Sequence, residues 1–401
     1  MPLVSFKTEL KLNNKQKTLL AKHAGVARHA YNWGLATCFK ALENNEKLPT
    51  AIDLHKKLVA EVKPIYSWYY EVSKCAPQQA LRNLSTAFKN WWIHKHTKKP
   101  RFKKKGHHDS FYLEGRVKVS GNRFKLPRIG WVNVHENLPA ITPKNVTISR
   151  HADRWFIAFK YELDIANTPK IRERIGVDIG INSLATCSDG TVIKNRKAYR
   201  KNKKKLARLQ RNLARKQKGS KNRQKAQVKL ARQHKKVVQI RKDTIHKLTS
   251  WLAKNHSEIV IENLNVSGML KNHRLASAVA DCGFYEFRRQ LEYKTEWYGS
   301  KLVMADRFYP SSQLCSNCQN KQKMPLSKRV YECKNCGLKI DRDLNASINL
   351  ELYPTTHSLW GSKACGESNQ LSGKSIKDSP EAGSERPSHE EWELDSLIKF
   401  E

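Results

Sequence analysis

Two Cys-x-x-Cys pairs, Cys315/Cys318 and Cys333/Cys336, stand fourteen residues apart in a 401-residue chain. Each pair lies in a short knuckle-like turn, CSNC and then CKNC followed by Gly337, that points two thiolates at one place. Four thiolates at this spacing suit a closed, tetrahedral structural Zn²⁺ that keeps no position open for a substrate. Two unrelated cysteine pairs would rarely repeat the same two-residue spacing so close together. A zinc ribbon says little about function by itself. Five residues past Cys336, however, comes Asp341-Arg342-Asp343-Leu344-Asn345-Ala346, which reads as the start of a helix. A small metal-stapled module therefore interrupts something larger just before a carboxylate.

That carboxylate has two candidate partners upstream. Asp178 lies in a β-prone run over 175–182, followed by Leu184 to Cys187, a turn at 188–190 and a return strand from Thr191. Glu262 ends an apolar run over 258–264 that reads as a buried strand. An acid on an apolar strand is expensive to bury unless it is paired or binds a cation. Three such acids, from two strands and a helix start, can converge on two Mg²⁺ ions. Metal ions about 4 Å apart activate a water and stabilise the leaving oxygen in phosphodiester hydrolysis. Taken singly, each acid is more often a turn or strand-end residue than a metal ligand.

Charge narrows the partners. Lys and Arg total 76 against 36 Asp and Glu, for a net charge of +40. Self-repulsion at that charge calls for a polyanion, and the number of available phosphate contacts suggests a long RNA, a duplex, or both. No run of apolar residues is long enough to span a membrane, and the first residues lack a signal-peptide core. Beyond the four zinc candidates, Cys38, Cys75, Cys187, Cys282 and Cys365 are scattered, as in a reducing cytosol, so a cytoplasmic protein is expected.

Taken in order, 3–12 alternates as a strand, and Asn13-Asn14 caps a long helix broken by 45–49. A second helix runs from Thr50 to Pro64. The aromatic cluster Tyr66, Trp68, Tyr69 and Tyr70 can stack on bases or simply form core. Pro77 suits the first turn of a third helix, with Ala80, Leu84, Phe88 and Trp91/Trp92 on one face. A basic loop follows. From Ser110 to about Leu163 the period changes to two, with strands over 111–119, 123–134 and 145–163 and turns at Gly121-Asn122 and 151–154. With the first strand these suggest a small β-barrel into which the helical block is inserted. Residues 164–174 read as a linker. The most basic region, 194–254, shows helical stripes but would make a helix about 90 Å long if unbroken. A break at 216–220 gives two helices, whose one-sided charge favours nucleic-acid contact over a merely solvated face. Residues 265–283 lack firm periodicity and read as a loop. Then come a helix over 284–298 and a strand over 301–305. Past Leu352, Ser, Gly, Pro and Glu dominate, and the tail reads as disordered.

The order GVDIGINSLAT, IVIENL, SSQLCSNC with YECKNCG, and DRDLNASIN resembles the RuvC-like nuclease of TnpB proteins, which insertion sequences encode and which are related to type V CRISPR effectors. The resemblance runs to about residue 352. It implies a multidomain α+β protein: a wedge β-barrel (1–10 and 110–170), a helical recognition domain (11–109), an RNase H-like nuclease (171–310, with the basic insert 194–256), a zinc-ribbon target-nucleic-acid-binding module (311–340), the end of the nuclease (341–352) and a tail (353–401). It implies that Asp178, Glu262 and Asp343, rather than Asp341, form a catalytic Mg²⁺-binding triad. By the same resemblance 265–283 is a mobile lid, and Lys74 and Gln78 are candidate readers of a motif beside the DNA target, although both are equally ordinary helix-entry residues. The implied activity is RNA-guided DNA cleavage by a monomer bound to a guide RNA and double-stranded DNA. Two rival readings are a non-catalytic RNA-guided DNA-binding regulator and an RNase H-like transposase. The intact acids disfavour the first, and the zinc ribbon between the second and third acids disfavours the second.

Overall fold

The computed structural model of the chain describes residues 3–360 apart from 95, 96, 107, 116, 139, 140, 142, 163–168 and 326; for 354–360 only the backbone is described. Strand β1 (Leu3–Lys11) leads into α1 (Asn14–Glu43). The Asn13 side chain accepts from the Gln16 amide while Gln16 accepts from the Asn13 amide, so two orphan N–H groups are satisfied reciprocally. Thr50 and Asp53 repeat the device at α2 (Ala51–Lys57), which continues as a wider turn to Val62. In α3 (Cys75–Ile93) Pro77 occupies the first turn, where no intrahelical N–H bond is lost. Buried Ala80, Leu81, Leu84 and Phe88 pack α3 on α1.

Strands β2 (Ser110–Glu114), β3 (Lys118–Ser120), β4 (Arg123–Leu126), β5 (Gly130–Val134), β6 (Asn145–His151) and β7 (Arg154–Glu162) join β1 in one antiparallel sheet, ordered β2-β6-β7-β1-β5-β4-β3. Two expected strands divide. The run over 111–119 becomes β2 and β3, at opposite sheet edges, after Gly115 turns with a φ of +67°. The run over 123–134 folds back as a β4–β5 hairpin. Pro127 has no N–H to donate and Arg128 adopts a φ of 65°, so Leu126 comes to face Gly130. Closure into a barrel would need β2 to pair with β3, and no such pairing is found among the described residues. The helices α1–α3 and the inner face of this sheet share one apolar core.

A second sheet holds β8 (Arg172–Asp178), β9 (Ser183–Cys187), β10 (Val192–Lys194), β11 (His256–Glu262) and β12 (Lys301–Ala305), ordered β10-β9-β8-β11-β12. Here β8, β11 and β12 run parallel while β9 and β10 are antiparallel. The parallel strands read as continuous apolar runs because both faces are covered, as buried Ile175, Val177, Ile259, Val260 and Ile261 show. Strand β8 begins at Arg172, inside the expected linker, of which 164–168 lie outside the described residues.

The basic insert is two helices, α4 (Ala198–Ala214) and α5 (Lys221–Asn255). Gly219 takes a φ of +85° at the break and Ser220 caps α5 through the Arg223 amide. The stretch expected as a loop forms α6 (Val266–Met269) and α7 (Ala276–Cys282). Helices of four and seven residues are too short to show a period, and burial of Val279 and Cys282 holds α7 in place. After α8 (Phe284–Tyr298) and β12 comes the hairpin β13 (Val330–Glu332) and β14 (Lys339–Asp341), then α9 (Arg342–Trp360). Helix α9 continues past Leu352, where the composition shift suggests that order ends; the remaining tail, 361–401, lies outside the described residues. Among the described residues no helix is long and apolar enough to cross a membrane.

Candidate active centre and zinc module

Strands β8 and β11 run parallel with Val177 opposite Ile261, and each ends on an acid, Asp178 and Glu262. The parallel register thus delivers two carboxylates to the same end of the sheet. Helix α9 supplies the third. Its backbone lies directly on β8 at Gly176, where a Cβ would stand 2.0 Å from Ser347 O and 2.5 Å from Glu351 N. Glycine alone permits that approach. Asp343, in the first turn of α9, comes within electrostatic reach of Asp178.

Burial, and then the negative charges of Glu262 and Asp343, push the Asp178 carboxyl well above its ordinary range, against the pull of Arg342. Burial likewise raises Glu262, although the Ser311 hydroxyl donates to its Oε1 and Arg342 opposes the shift. Two desolvated carboxylates, Asp178 and Glu262, joined by half-buried Asp343, which Arg329 approaches at 3.9 Å, make an all-oxygen donor set of the kind a hard divalent cation takes, so the residues present fit Mg²⁺. They are spread more widely than the sulfurs. Among the described residues, only the four cysteines gather all their ligand atoms within 4.8 Å of one another.

Asp341 is committed elsewhere. Its Oδ1 accepts from the amides of Asp343 and Leu344 at 2.9 and 3.1 Å, capping α9. Of the two neighbouring aspartates, one therefore starts the helix and the other stands in its first turn.

The sulfurs of Cys315 and Cys336 are 3.5 Å apart and those of Cys318 and Cys333 3.6 Å. Tetrahedral Zn–S bonds of about 2.3 Å need sulfurs just under about 4 Å apart, so the cluster fits one zinc ion. A hydrogen bond from Asn335 Nδ2 is the largest cause holding the Cys318 thiol down to about 6. Fully buried Tyr331 fills the module and donates to Gln313 O. Two buried asparagines on one face of α9 tie the module to the sheet. Asn345 Nδ2 donates to Leu314 O and its Oδ1 accepts from the Ser316 amide; Asn349 Nδ2 donates to both Ser311 O and Leu314 O.

Motif and periodicity do not single out Gly176, Ser311, Asn345 or Asn349. A glycine inside an apolar strand is the available signal for Gly176. Lys74 precedes α3 and Gln78 follows one turn later, its amide bonded to Lys74 O at 3.4 Å, so both stand on one face of the helix start, Lys74 exposed and Gln78 half-buried. The aromatic cluster divides. Tyr69 is buried, hydrogen-bonded to His29, with Trp68 stacked on it at 4.5 Å, whereas Tyr66 and Tyr70 remain exposed. On α4 the side chains of Lys203, Lys204, Lys205, Arg208 and Arg211 face solvent.

Fold and site define a strongly basic protein class in which a mixed sheet carries an acidic centre and a four-cysteine ribbon is set between its last strand and its last helix. Family models described as "Probable transposase", "Cas12f1-like, TNB domain" and "Helix-turn-helix domain" match residues 158–273, 284–350 and 1–47. The last of these ranges is occupied here by β1 and α1. The chain is 35% identical over 391 residues to a "Putative RNA-guided DNA endonuclease" of Streptomyces pristinaespiralis, covering 94% of this chain and 96% of that one. It is also 35% identical over 401 residues to "Putative RNA-guided DNA endonuclease InsQ" of Escherichia coli strain K12, covering 94% and 97%. A solved structure titled "Structure of the mini-RNA-guided endonuclease CRISPR-Cas_phi3" aligns at 10% identity over 87% of this chain and 91% of that one, with a TM-score of 0.46. The chain belongs to the TnpB family.

Proposed function

We propose that the protein is an RNA-guided DNA endonuclease that cuts target DNA beside a short flanking motif by two-metal hydrolysis. The observation that carries the reading is the acidic centre. In-register strand ends bring Asp178 and Glu262 together, and Gly176 admits the helix that adds Asp343. The strand order β10-β9-β8-β11-β12 supports an RNase H-like nuclease over 171–310 and 341–352. The relatives' names supply the guide and the DNA substrate.

In this reading Asp178, Glu262 and Asp343 hold Mg²⁺. Bound there, Mg²⁺ supplies an activated water and neutralises charge on the leaving oxygen. Ser311 fixes the carboxylate of Glu262 by its hydrogen bond, and buried Arg342 offsets part of the acidic charge. The four cysteines hold one structural zinc that shapes the module over 311–340. Exposed cations of α4 hold phosphates, and Lys74 and Gln78 read the flanking motif. The wedge (1–10 and 110–170) and recognition (11–109) segments grip the RNA. The test is cleavage of target DNA by protein purified with its own RNA, in Mg²⁺ and then in EDTA. Cleavage that persists in EDTA, or in Asp178→Ala, overturns the metal mechanism. A preparation that carries no RNA overturns the guide.

A further inference from the structure

A cavity of about 430 Å³ opens between β10 and α5, at the outer edge of the second sheet. Its volume lies within the range of small-ligand sites, about 300–1,000 Å³. Ile193, buried Leu248 and Trp251 give it an apolar lining that is continuous with the core. Three cations, Lys194, Arg196 and Lys247, stand around it. Asp243 pairs with Lys247 at 3.0 Å, and no ion pair is found for Lys194 or Arg196 among the described residues. Thr244 adds a polar side chain, and its hydroxyl is already donated to Ile240 O at 3.0 Å.

An apolar slot with an indole in it and cations around it selects one kind of occupant: a planar, weakly polar group carried on a polyanion. We propose that this cavity takes a single unpaired base of the bound guide RNA, stacked on Trp251, with the flanking phosphates on Lys194 and Arg196. The inference rests on the RNA-guided reading. Stacking holds the base through its face, which all four bases have, so the site is expected to accept any of them. Position favours RNA over DNA. Strand β10 is one edge of the sheet, while β12, the other edge, leads toward Ser311 and the zinc module, beside the acids that DNA must reach.

The experiment uses the full-length protein with the RNA it carries from the cell. Short-wave ultraviolet irradiation of the complex, with and without target DNA, is followed by digestion and mass spectrometry of nucleotide adducts. Ribonucleotide adducts are expected on the peptides carrying Trp251 or 192–196. Ribonucleotide adducts on α4 with none at the cavity would overturn the pocket and leave the guide intact. Deoxyribonucleotide adducts at the cavity would assign it to DNA and overturn the proposal, and a complex with no RNA would remove both readings. Because Trp251→Ala disturbs the core, the companion variant pairs Lys194→Glu with Arg196→Glu, both at exposed positions. Its RNA affinity should fall about tenfold or more, because two phosphate contacts are replaced by repulsion, with the melting temperature unchanged. Trp251→Phe should retain binding. Wild-type RNA affinity in the double variant would refute the site.

Discussion

Asp341 and Asp343 are chemically identical, yet their surroundings assign them different work. Asp341 spends its Oδ1 on two helix amides, so Asp341→Ala should cost about 1 kcal/mol of stability, and Asp341→Asn should restore it because asparagine caps equally well. Asp343→Ala should instead abolish cleavage and leave stability near wild type. Asp178→Ala should lower cleavage by orders of magnitude while RNA and DNA binding survive, since the phosphates are held elsewhere. Cleavage, binding and melting curves on the four variants separate these roles. If Asp341→Ala were dead and Asp343→Ala active, the two assignments would have to be exchanged. Lys294 supplies a pH-dependent term. Burial pushes its ammonium down to about 8, where Nζ donates to His246 O, Thr249 and Ser250. In the unfolded chain the group returns to about 10.4. Between those values the unfolded chain holds a proton the folded one lacks, so this residue's contribution to stability rises with pH across that window and is flat below it. Lys294→Met should remove the slope; identical melting-temperature profiles for the two proteins between pH 8 and 10 would contradict the burial argument.

Helix α9 joins the sheet, the acids and the zinc module through contacts that tolerate little change. In Gly176→Ala the new methyl meets Ser347 O and Glu351 N, so α9 must retreat from β8. Overpacking of this kind costs about 1–3 kcal/mol, and Asp343 moves with the helix, so cleavage should fall further than stability alone explains. Full activity in Gly176→Ala would show that the helix position does not matter. Asn349→Leu strips Ser311 O of its donor, at about 1–3 kcal/mol for a buried group left unpaired, while Leu314 O keeps the bond from Asn345. It also frees the loop that carries Ser311, so the pH dependence of cleavage should shift along with the rate. The zinc module has only a small apolar centre around Tyr331, which makes its folding metal-dependent. Chelation or Cys333→Ser should open 311–340 to proteolysis while the core shared by α1–α3 and the first sheet stays protected. Metal analysis giving well under one zinc per chain would refute the assignment.

The two sheets keep separate apolar cores, and charged contacts connect them. Arg232 of α5 donates to Asp153 in the β6–β7 turn, and Lys235 stands 3.9 Å from Glu9 on β1. With 36 acids against 76 Lys and Arg, the chain keeps a large excess of positive charge, which attracts polyanions. RNA binding should weaken steeply with salt. Replacing several lysines within 201–218 should both weaken it and flatten the salt dependence, because each lost phosphate contact removes one released counterion. An unchanged slope would mean that α4 touches only solvent.

Local chemistry is legible in the amino-acid sequence alone. Cysteine spacing marks the metal module, Asn13 marks a helix start, Gly219 marks the break between two basic helices, and apolar runs ending in acid mark β8 and β11. Each of these signals lies within a few residues of what it controls. The division of 111–119 and 123–134 into separate strands is hidden because alternation continues through a turn that only backbone angles at Gly115 and Arg128 reveal. The short helices α6 and α7 are hidden because burial, not periodicity, makes them. Tertiary structure alone decides that Gly176 is a contact surface, that Asn345 and Asn349 are ties, and that Asp343 comes within electrostatic reach of Asp178. Those roles depend on groups brought together from about 30 to more than 160 positions away in the chain, such as Asn345 on Ser316 and Asp343 on Asp178. A side chain's sequence neighbours cannot show which distant backbone will close on it, because that is settled by how sheet and helix share one core.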